Sequence, residues 1–592
     1  MCGIAGILGV TDPEAAEREV RAMIERIAHR GPNGIRVESG PGWCVAHARL
    51  SIIDLEAGWQ PLHAAGSTII GNGEIYNYVE LAEEFGLGDK LSTGSDFEPL
   101  LHLYALEGEK AFERLRGMYA FCLIGGDGRT WLVRDGFGIK PLYWREDGQG
   151  LAFASEPRAF PRTEGWEWAA NDEVLALNYA VEDGEATRGI GAFRTPPGAV
   201  LEARSGEIIA RRHLPTVPPA SPPATGDEEA LLAELDRVLE DSVTVHQRSD
   251  VPYGLFLSGG VDSAAVATLM SRLNERPVTA YTCGFDVPEA RDERGQAERV
   301  AKALNLDWRE TTFGEEDFWR ISPQVAWALD DPTADYATLP TYKLAEAAKG
   351  TLTVILTGEG GDELFGGYGR YRRAMRPTWL GGRAAEPQVD APFLPTIVMQ
   401  DGGRAWFKGP EALLNWQETV SGALLGAPNL TPLQRAQYAD IVTWLPNDLL
   451  LKLDRMLMAH GLEGRTPFLD REVAAFAFNL PDRMKVRGKY GKYILRKWLE
   501  RHCPAAEPWA KKKGFTVPVA SWIAPRAGDL GPRIAATKAV AEVCDVDAVR
   551  AVFTDDKQAH NRWPLLFFAL WSLIHIEGAD PNAALRSLLG EA

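Results

Sequence analysis

From Leu255 to Ser263 the chain reads LFLSGGVDS. A short apolar run stops at two glycines, and the amphipathic stretch DSAAVATLMSRLN follows. That order predicts a buried strand, a sharp turn and a helix starting near Ser263. The pattern continues downstream. VTAYTCGF reads as a second strand and LTVIL (352–356) as a third, which runs into another glycine-rich turn, LTGEGGDELFGGYGRY (356–371). Strands alternating with helices call for an open, mostly parallel α/β sheet.

The two turns also carry chemistry. Glycines permit positive φ and let backbone N–H groups approach a ligand closely. A helix N-terminus adds a partial positive charge where a phosphate can sit. The Walker pattern is absent, because no Lys follows the glycines. Asp262 lies inside the loop instead, which makes sense beside phosphates if it holds Mg²⁺. Glu359, Asp362 and Glu363 project from the second turn, at the carboxyl end of a parallel strand where open α/β sheets bind ligands. Three acids there repel one another unless a cation or a Lys neutralises them. The bland alternatives are an ordinary strand–turn–helix junction and a solvated loop. Two such turns ending strands of one sheet argue against both.

The rest of the chain divides around these turns. At 592 residues it is too long for one core, which predicts two to four domains. The first 205 or so residues read as β-rich, with apolar runs such as TII (68–70), YAFCLI (119–124) and TWLVRD (130–135) and the helical stretch PEAAEREVRAMIERIAHR. The segment TVPPASPPATGDEE (Thr216–Glu229) reads as a stiff linker. Beyond about residue 405 the chain reads as mainly helical. Acids outnumber bases 82 to 63, the reverse of a nucleic-acid binder's balance. The six cysteines, at 2, 44, 122, 283, 503 and 544, form neither a disulfide framework nor a zinc pattern. Cys44, Cys122 and Cys283 read as small buried hydrophobes. Cys2 stands apart, directly behind Met1. No basic residue precedes its apolar run, so a signal peptide is not expected. WPLLFFALWSLIHI is too short to span a bilayer and reads as a buried helix. A cytoplasmic protein with no membrane or nucleic-acid partner is therefore expected.

Taken in order, MCGIAGI, HRGPNG (29–34), RLSIIDL (49–55), GNGEIYN (71–77), TGSDFE (93–98), RDGFGIKPLYW (134–144) and FASE (153–156) resemble the amidohydrolase half of the glutamine-hydrolysing asparagine synthetases of bacterial B type. FLSGGVDS, GEGGDELFGGY, LPNDLLLKLDRMLMAHGLEGRTPFLD (445–470), GKYILRKW (491–498) and KKKGFTVPVASW (511–522) resemble the other half of that family. The resemblance covers nearly the whole chain. It implies a class II glutamine amidotransferase domain over 1–212 with an Ntn-hydrolase-like αββα sandwich. A Pro-rich linker over 213–228 follows, then an ATP-pyrophosphatase domain over 229–592 with a parallel sheet and a helical C-terminal part.

The resemblance also assigns residues. With Met1 removed, Cys2 would supply the nucleophilic thiol and its own α-amine would relay the proton. The two groups have matched pKa values near 8, which suits proton transfer close to neutrality. Asn72 and the Gly73 N–H would receive the oxyanion. Arg49 would grip the glutamine carboxylate, and Glu74 and Asp96 its ammonium. Ser258, Gly259, Gly260, Asp262 and Ser263 would hold pyrophosphate. Leu257, Thr357 and Gly358 would contact the nucleotide, and Asp262 and Asp362 would hold Mg²⁺. Glu359 would serve acyl-adenylate formation and handle ammonia. Lys492 would stabilise the charged transition state, with Lys489 as competitor. L-aspartate, L-glutamine and ATP are the implied substrates, a homodimer the implied assembly, and a dry apolar contact between the domains the implied route for ammonia.

Three departures stand out. Asn33 replaces a frequent Asp, and Gly136 a frequent Arg. The acceptor segment LDDPTADYATLPTY (329–342) has no basic residue, and Tyr336 falls where the best-studied members carry one. A different carboxylate acceptor, such as a sugar acid or a peptide intermediate, is therefore the alternative. The β-lactam synthetase branch needs no ammonia, and Cys2, Asn72, Gly73 and Asp96 argue against it. A non-catalytic scaffold would be expected to have lost Cys2, Asp262 or Glu359. The stretch RAAEPQVDAPFLP within 372–430 reads as an insertion or a mobile loop.

Overall fold

A computed structural model describes residues 2–147, 150–161, 185–187, 192–216, 226–285, 287, 293–375, 430–511 and 517–591. Most of the linker and most of the 372–430 segment fall outside these residues.

The first unit is built from two antiparallel sheets. One runs β10(Glu185–Thr187), β11(Ala192–Arg194), β8(Tyr143–Asp147), β9(Gly150–Ala154), β1(Gly3–Leu8), β3(Trp43–Ala48), β2(Ile35–Gly40). The other runs β13(Glu207–His213), β12(Ala199–Arg204), β7(Thr130–Arg134), β6(Gly117–Ile124), β5(Ser67–Ile75), β4(Leu62–Ala64). The period of two in a strand decides the layers. Ile4 and Leu8 of β1 meet Ile70, Ala120, Cys122 and Leu132 between the sheets. Ala5 and Ile7, of opposite parity, lie under α1(Pro13–Arg26) with Ala16, Val20, Met23 and Ile24. Tyr119, Phe121 and Leu123 face α3(Glu98–Glu107), which follows α2(Tyr78–Glu84). These layers form the expected αββα sandwich. The α1 helix has a local cause: Asp12 caps it by accepting from Ala15 N–H at 3.1 Å, Pro13 fixes its first turn, and its buried residues recur at helical spacing.

The second unit begins with α4(Glu228–His246). Its sheet is wholly parallel, in the order β16(Asp307–Phe313), β15(Thr279–Phe285), β14(Tyr253–Phe256), β17(Val354–Leu356), β18(Glu463–Arg465). Both faces are covered. Leu255, Val354 and Leu356 pack on the side of α5(Val261–Leu273), while Ile355, Tyr281 and Cys283 pack on the other. The strands at 253–256, 279–285 and 354–356 match the expected ones. The edge strand β18 is only three residues long and its sequence, EGR, carries no strand signal. The chain leaves β14 in one direction across the sheet and returns to β17 on the other side. The crevice between β14 and β17 is therefore the topological switch point, and both acid–glycine turns open into it. After the second turn the described chain is mainly helical, through α6(Gly361–Phe365), α7(Leu450–Met458), α8(Tyr493–His502) and α9(Arg562–His575). The α9 segment is the buried helix that its composition predicts. Among the described residues no helix is long and apolar enough to cross a membrane.

Candidate active sites

The first site lies where Cys2 enters β1 beside β5. Asn72 is fully buried on β5, and its Oδ1 accepts from the Cys2 N–H at 3.0 Å. That bond leaves Asn72 Nδ2 with no partner among the described residues, a buried donor on a side chain that touches the Cys2 backbone. Gly73 follows with φ +136, and a Cβ there would lie 2.0 Å from Met118 O, so only glycine fits. Burial pushes the Cys2 thiol above its usual value, so the nucleophile needs a proton acceptor nearby. Arg49 is buried, with its fork on Leu55 O at 3.1 Å and Asp54 O at 2.5 Å and its plane over Trp59. The departing residue Asn33 accepts from Ser51 N–H at 2.9 Å and so ties down the same loop.

Glu74 and Asp96 are buried close together. Asp96 Oδ2 accepts from Ile75 N–H at 2.7 Å. Burial lifts Asp96 to about 7, and burial followed by the Asp96 charge lifts Glu74 well above the carboxylate range. Sequence reasoning missed the third member of this cluster. Arg465 reaches in from β18 of the second unit, with Nη2 3.5 Å from Glu74 Oε1 and Nε 2.6 Å from Glu463 Oε1. Burial would raise Glu463, but the positive charges around it, Arg465 among them, bring it down to about 2. The main chain of Arg465 meanwhile accepts from Thr357 N–H at 2.9 Å in the second site. One residue thus touches both sites. The only sequence signal for it was its place in the motif GLEGRTPFLD.

The second site centres on the turn after β14. Helix α5 starts at Val261, two residues earlier than the sequence suggested, with Gly260 at its N-cap. Neither Gly259 nor Gly260 has positive φ, so these glycines serve close approach rather than an unusual backbone. Ser258 Oγ and Ser263 Oγ lie 2.9 Å apart, and Gly260 N–H donates to Ser258 Oγ at 3.1 Å, closing the turn on itself. Leu257 is buried, its N–H on Tyr281 O and its carbonyl on Thr282 Oγ1. The second turn packs against the first. A Cβ on Gly358 would lie 2.8 Å from Asp262 Cβ, and one on Gly361 2.6 Å from Asp262 Oδ1. Gly360 does need positive φ, at +88.

Lys492, at the start of α8, supplies the neutralising cation that the acids call for. Its Nζ bonds to Asp262 Oδ2 and lies 2.7 Å from Asp362 Oδ1. Burial would lower its pKa, but the two carboxylates prevail and raise it. Its backbone sits at φ 55, a left-handed conformation that a non-glycine residue holds only where the surroundings impose it. Lys489 lies over the Tyr490 ring instead. Among the described residues no group of three or more His, Cys, Asp or Glu is disposed to hold a metal ion. Two carboxylates completed by substrate phosphates nevertheless suit Mg²⁺, which favours a few oxygen ligands and keeps the rest as water.

Glu359 stands at the mouth of a third group. Lys452 of α7 lies 3.5 Å from Glu359 Oε1 and 3.5 Å from Asp335 Oδ2. Tyr336, partly buried, packs against the core behind them.

Between the sites the units meet through buried charge as well as apolar surface. Leu50, Ile52, Tyr76, Met118, Phe137 and Ile139 join the core of the second unit. Beside them Arg30 donates to Cys2 O at 3.2 Å and forks onto Asp454 at 2.8 and 3.1 Å. Arg455 continues to Asp330 at 3.1 Å, and Arg194 holds Asp331. The expected dry contact is thus apolar only in part. Asp454→Ala would leave Arg30 and Arg455 buried without this carboxylate. It is expected to lower unfolding stability by about 3–5 kcal/mol, read as a lower urea midpoint. An unchanged midpoint would mean that Glu156 and Asp330 suffice.

Comparison with known proteins adds the following. The family model described as asparagine synthase matches residues 234–573. The model described as glutamine amidotransferase domain matches residues 1–214. The glutamine-hydrolyzing asparagine synthetase 1 of Bacillus subtilis (strain 168) is 31% identical, over 98% of this chain and 97% of its own. A putative glutamine-hydrolyzing asparagine synthetase of Mycobacterium tuberculosis (strain ATCC 25618 / H37Rv) is 33% identical, over 98% of both chains. The asparagine synthetase B of Escherichia coli (strain K12) is 29% identical, over 88% of this chain and 83% of its own.

Proposed function

This chain belongs to the asparagine synthase family and carries that family's glutamine amidotransferase domain, and from that premise we propose that it makes asparagine: L-aspartate + L-glutamine + ATP + H₂O → L-asparagine + L-glutamate + AMP + PPi. The observation that carries the reading is the pairing of two machineries in one chain. The buried Asn72 Nδ2, with no partner among the described residues, stands beside Cys2, and two acid–glycine loops face the switch point of the parallel sheet.

Removal of Met1 frees the Cys2 α-amine to take the thiol proton. The thiolate attacks the glutamine amide carbon, and Asn72 Nδ2 and the Gly73 N–H receive the charge that develops on oxygen. Ammonia departs as the thioester forms, and water then releases glutamate. Arg49 turns from its loop carbonyls to the glutamine carboxylate, while Glu74 and Asp96 hold the ammonium. In the second site Ser258, Gly259, Gly260 and Ser263 cradle the leaving pyrophosphate, with Leu257, Thr357 and Gly358 against the nucleotide. The aspartate side-chain carboxylate attacks the α-phosphorus of ATP, giving an acyl-adenylate and PPi. Ammonia then displaces AMP, with Glu359 receiving the proton. Asp262 and Asp362 are the residues that would hold Mg²⁺, which when bound screens the phosphate charge. Lys492 adds its fixed positive charge where negative charge builds. The same proposal covers a cytoplasmic homodimer, which light scattering of the purified chain checks.

ATP–pyrophosphate exchange with a panel of carboxylic acids tests the reading. Exchange should depend on L-aspartate. Exchange with a sugar acid or a peptide acid, and none with aspartate, would refute it.

A pH dependence follows from the burial that lifts Asp96 to about 7. The carboxylate form binds the glutamine ammonium, and the protonated form does not. Below pH 7 the glutaminase kcat/KM should therefore fall towards about tenfold per unit, a limb absent from ATP–pyrophosphate exchange, which uses no glutamine. A glutaminase profile flat from pH 5.5 to 8 would refute this role of Asp96.

A further inference from the structure

The acceptor segment 329–342 contains no Lys or Arg, yet an acceptor with two carboxylates needs a cation. The fold supplies one from α7, more than a hundred residues further along the chain. Lys452 is buried, and its side chain is 7% exposed against 27% for Glu359, so the group opens towards the adenylation residue. Its contacts to Asp335 and Glu359, at 3.5 Å each, are long for charge-assisted bonds, which close at about 2.7–2.9 Å. The ammonium therefore has donors to offer an incoming carboxylate.

The other half of the pocket is acidic and equally specific. Asp448 is fully buried. Its Oδ1 accepts from Thr333 Oγ1 at 2.7 Å, and its Oδ2 has no partner among the described residues. Asp335 is fixed by the Ala337 N–H at 2.9 Å. A lone buried carboxylate oxygen is costly unless something pairs with it. Cation and acids together complement an amino acid's α-carboxylate and α-ammonium.

We propose that Lys452 binds the α-carboxylate of the acceptor amino acid, and that Asp448, with Asp335, binds its α-ammonium. This inference rests on the reading of the chain as an aspartate amidating enzyme. The side-chain carboxylate of the acceptor is then directed to Glu359 and the nucleotide loops. The pocket selects a zwitterion and discriminates against dicarboxylates that lack an ammonium.

The test is ATP–pyrophosphate exchange by the full chain with L-aspartate and with succinate. For Lys452→Met the aspartate KM should rise about 10- to 100-fold, the range for losing one charged hydrogen bond, with the ATP KM unmoved; Lys452→Arg should recover part of it. For Asp448→Asn the preference for aspartate over succinate should fall about tenfold. An aspartate KM that stays put in Lys452→Met, or an ATP KM that rises instead, overturns the assignment of Lys452. An unchanged aspartate-to-succinate ratio in Asp448→Asn overturns that of Asp448. If Lys452→Met does not fold, the Asp448→Asn ratio and the Lys452→Arg KM decide. Absence of aspartate-dependent exchange in the unaltered chain would defeat the parent reading rather than this inference.

Discussion

Cys2→Ala should abolish glutamine-dependent synthesis, by about a thousandfold or more, and retain synthesis from ammonia. The thiol is the one strong nucleophile beside the Asn72 amide, and alanine leaves nothing to form the thioester. Asn72 would still hold the backbone N–H of residue 2, so the local frame should survive. The synthetase loops lie in a different sheet and receive ammonia from solvent without the first site. Parallel assays with each nitrogen donor separate the cases. Loss of both activities would mean that Cys2 serves the fold rather than the reaction.

Lys492→Met should reduce acyl-adenylate formation by about a hundredfold or more, whichever nitrogen donor is used. It should also bring Asp262 and Asp362 together without the ammonium that separates their charges. Like charges in a site this enclosed raise at least one carboxylate pKa, so the residual activity should shift to higher pH. In the unaltered chain Lys492 is held cationic by the same two acids and should contribute no alkaline limb below the ordinary lysine range. Lys492→Arg keeps the charge but not the reach. Pyrophosphate exchange in Lys492→Met equal to that of the unaltered chain would remove Lys492 from the reaction. Lys489, which lies over Tyr490, should be dispensable by the same assay.

Much of this was legible in the order of residues. The period-two alternation of β1, β5 and β6 sorts their side chains into the three apolar cores between the four layers of the sandwich. The run LFLSGGVDS specifies its own strand, turn and helix. Asp262, Glu359 and Asp362 could be read as acids at a ligand-binding edge, because strand ends and glycine turns are local features. Gly259 and Gly260 do not use the positive φ that glycine permits. Close packing of two loops explains those glycines, and such packing is invisible within one loop.

The sequence by itself determined the segments and the residue types each carries: a thiol at residue 2, an asparagine–glycine pair on a strand, two acid–glycine turns after parallel strands. Only the tertiary structure decided which charges meet. Lys492 is 230 residues from Asp262, and Arg465 and Glu463 of the second unit join the buried acids Glu74 and Asp96 of the first. Lys452 comes within 3.5 Å of Asp335, in a segment that has no Lys or Arg of its own. Strand and helix signals act over a few residues, through backbone geometry and side-chain periodicity. A buried charge is indifferent to chain distance. Its partner is whichever opposite charge the packed sheets and helices bring within a few ångströms.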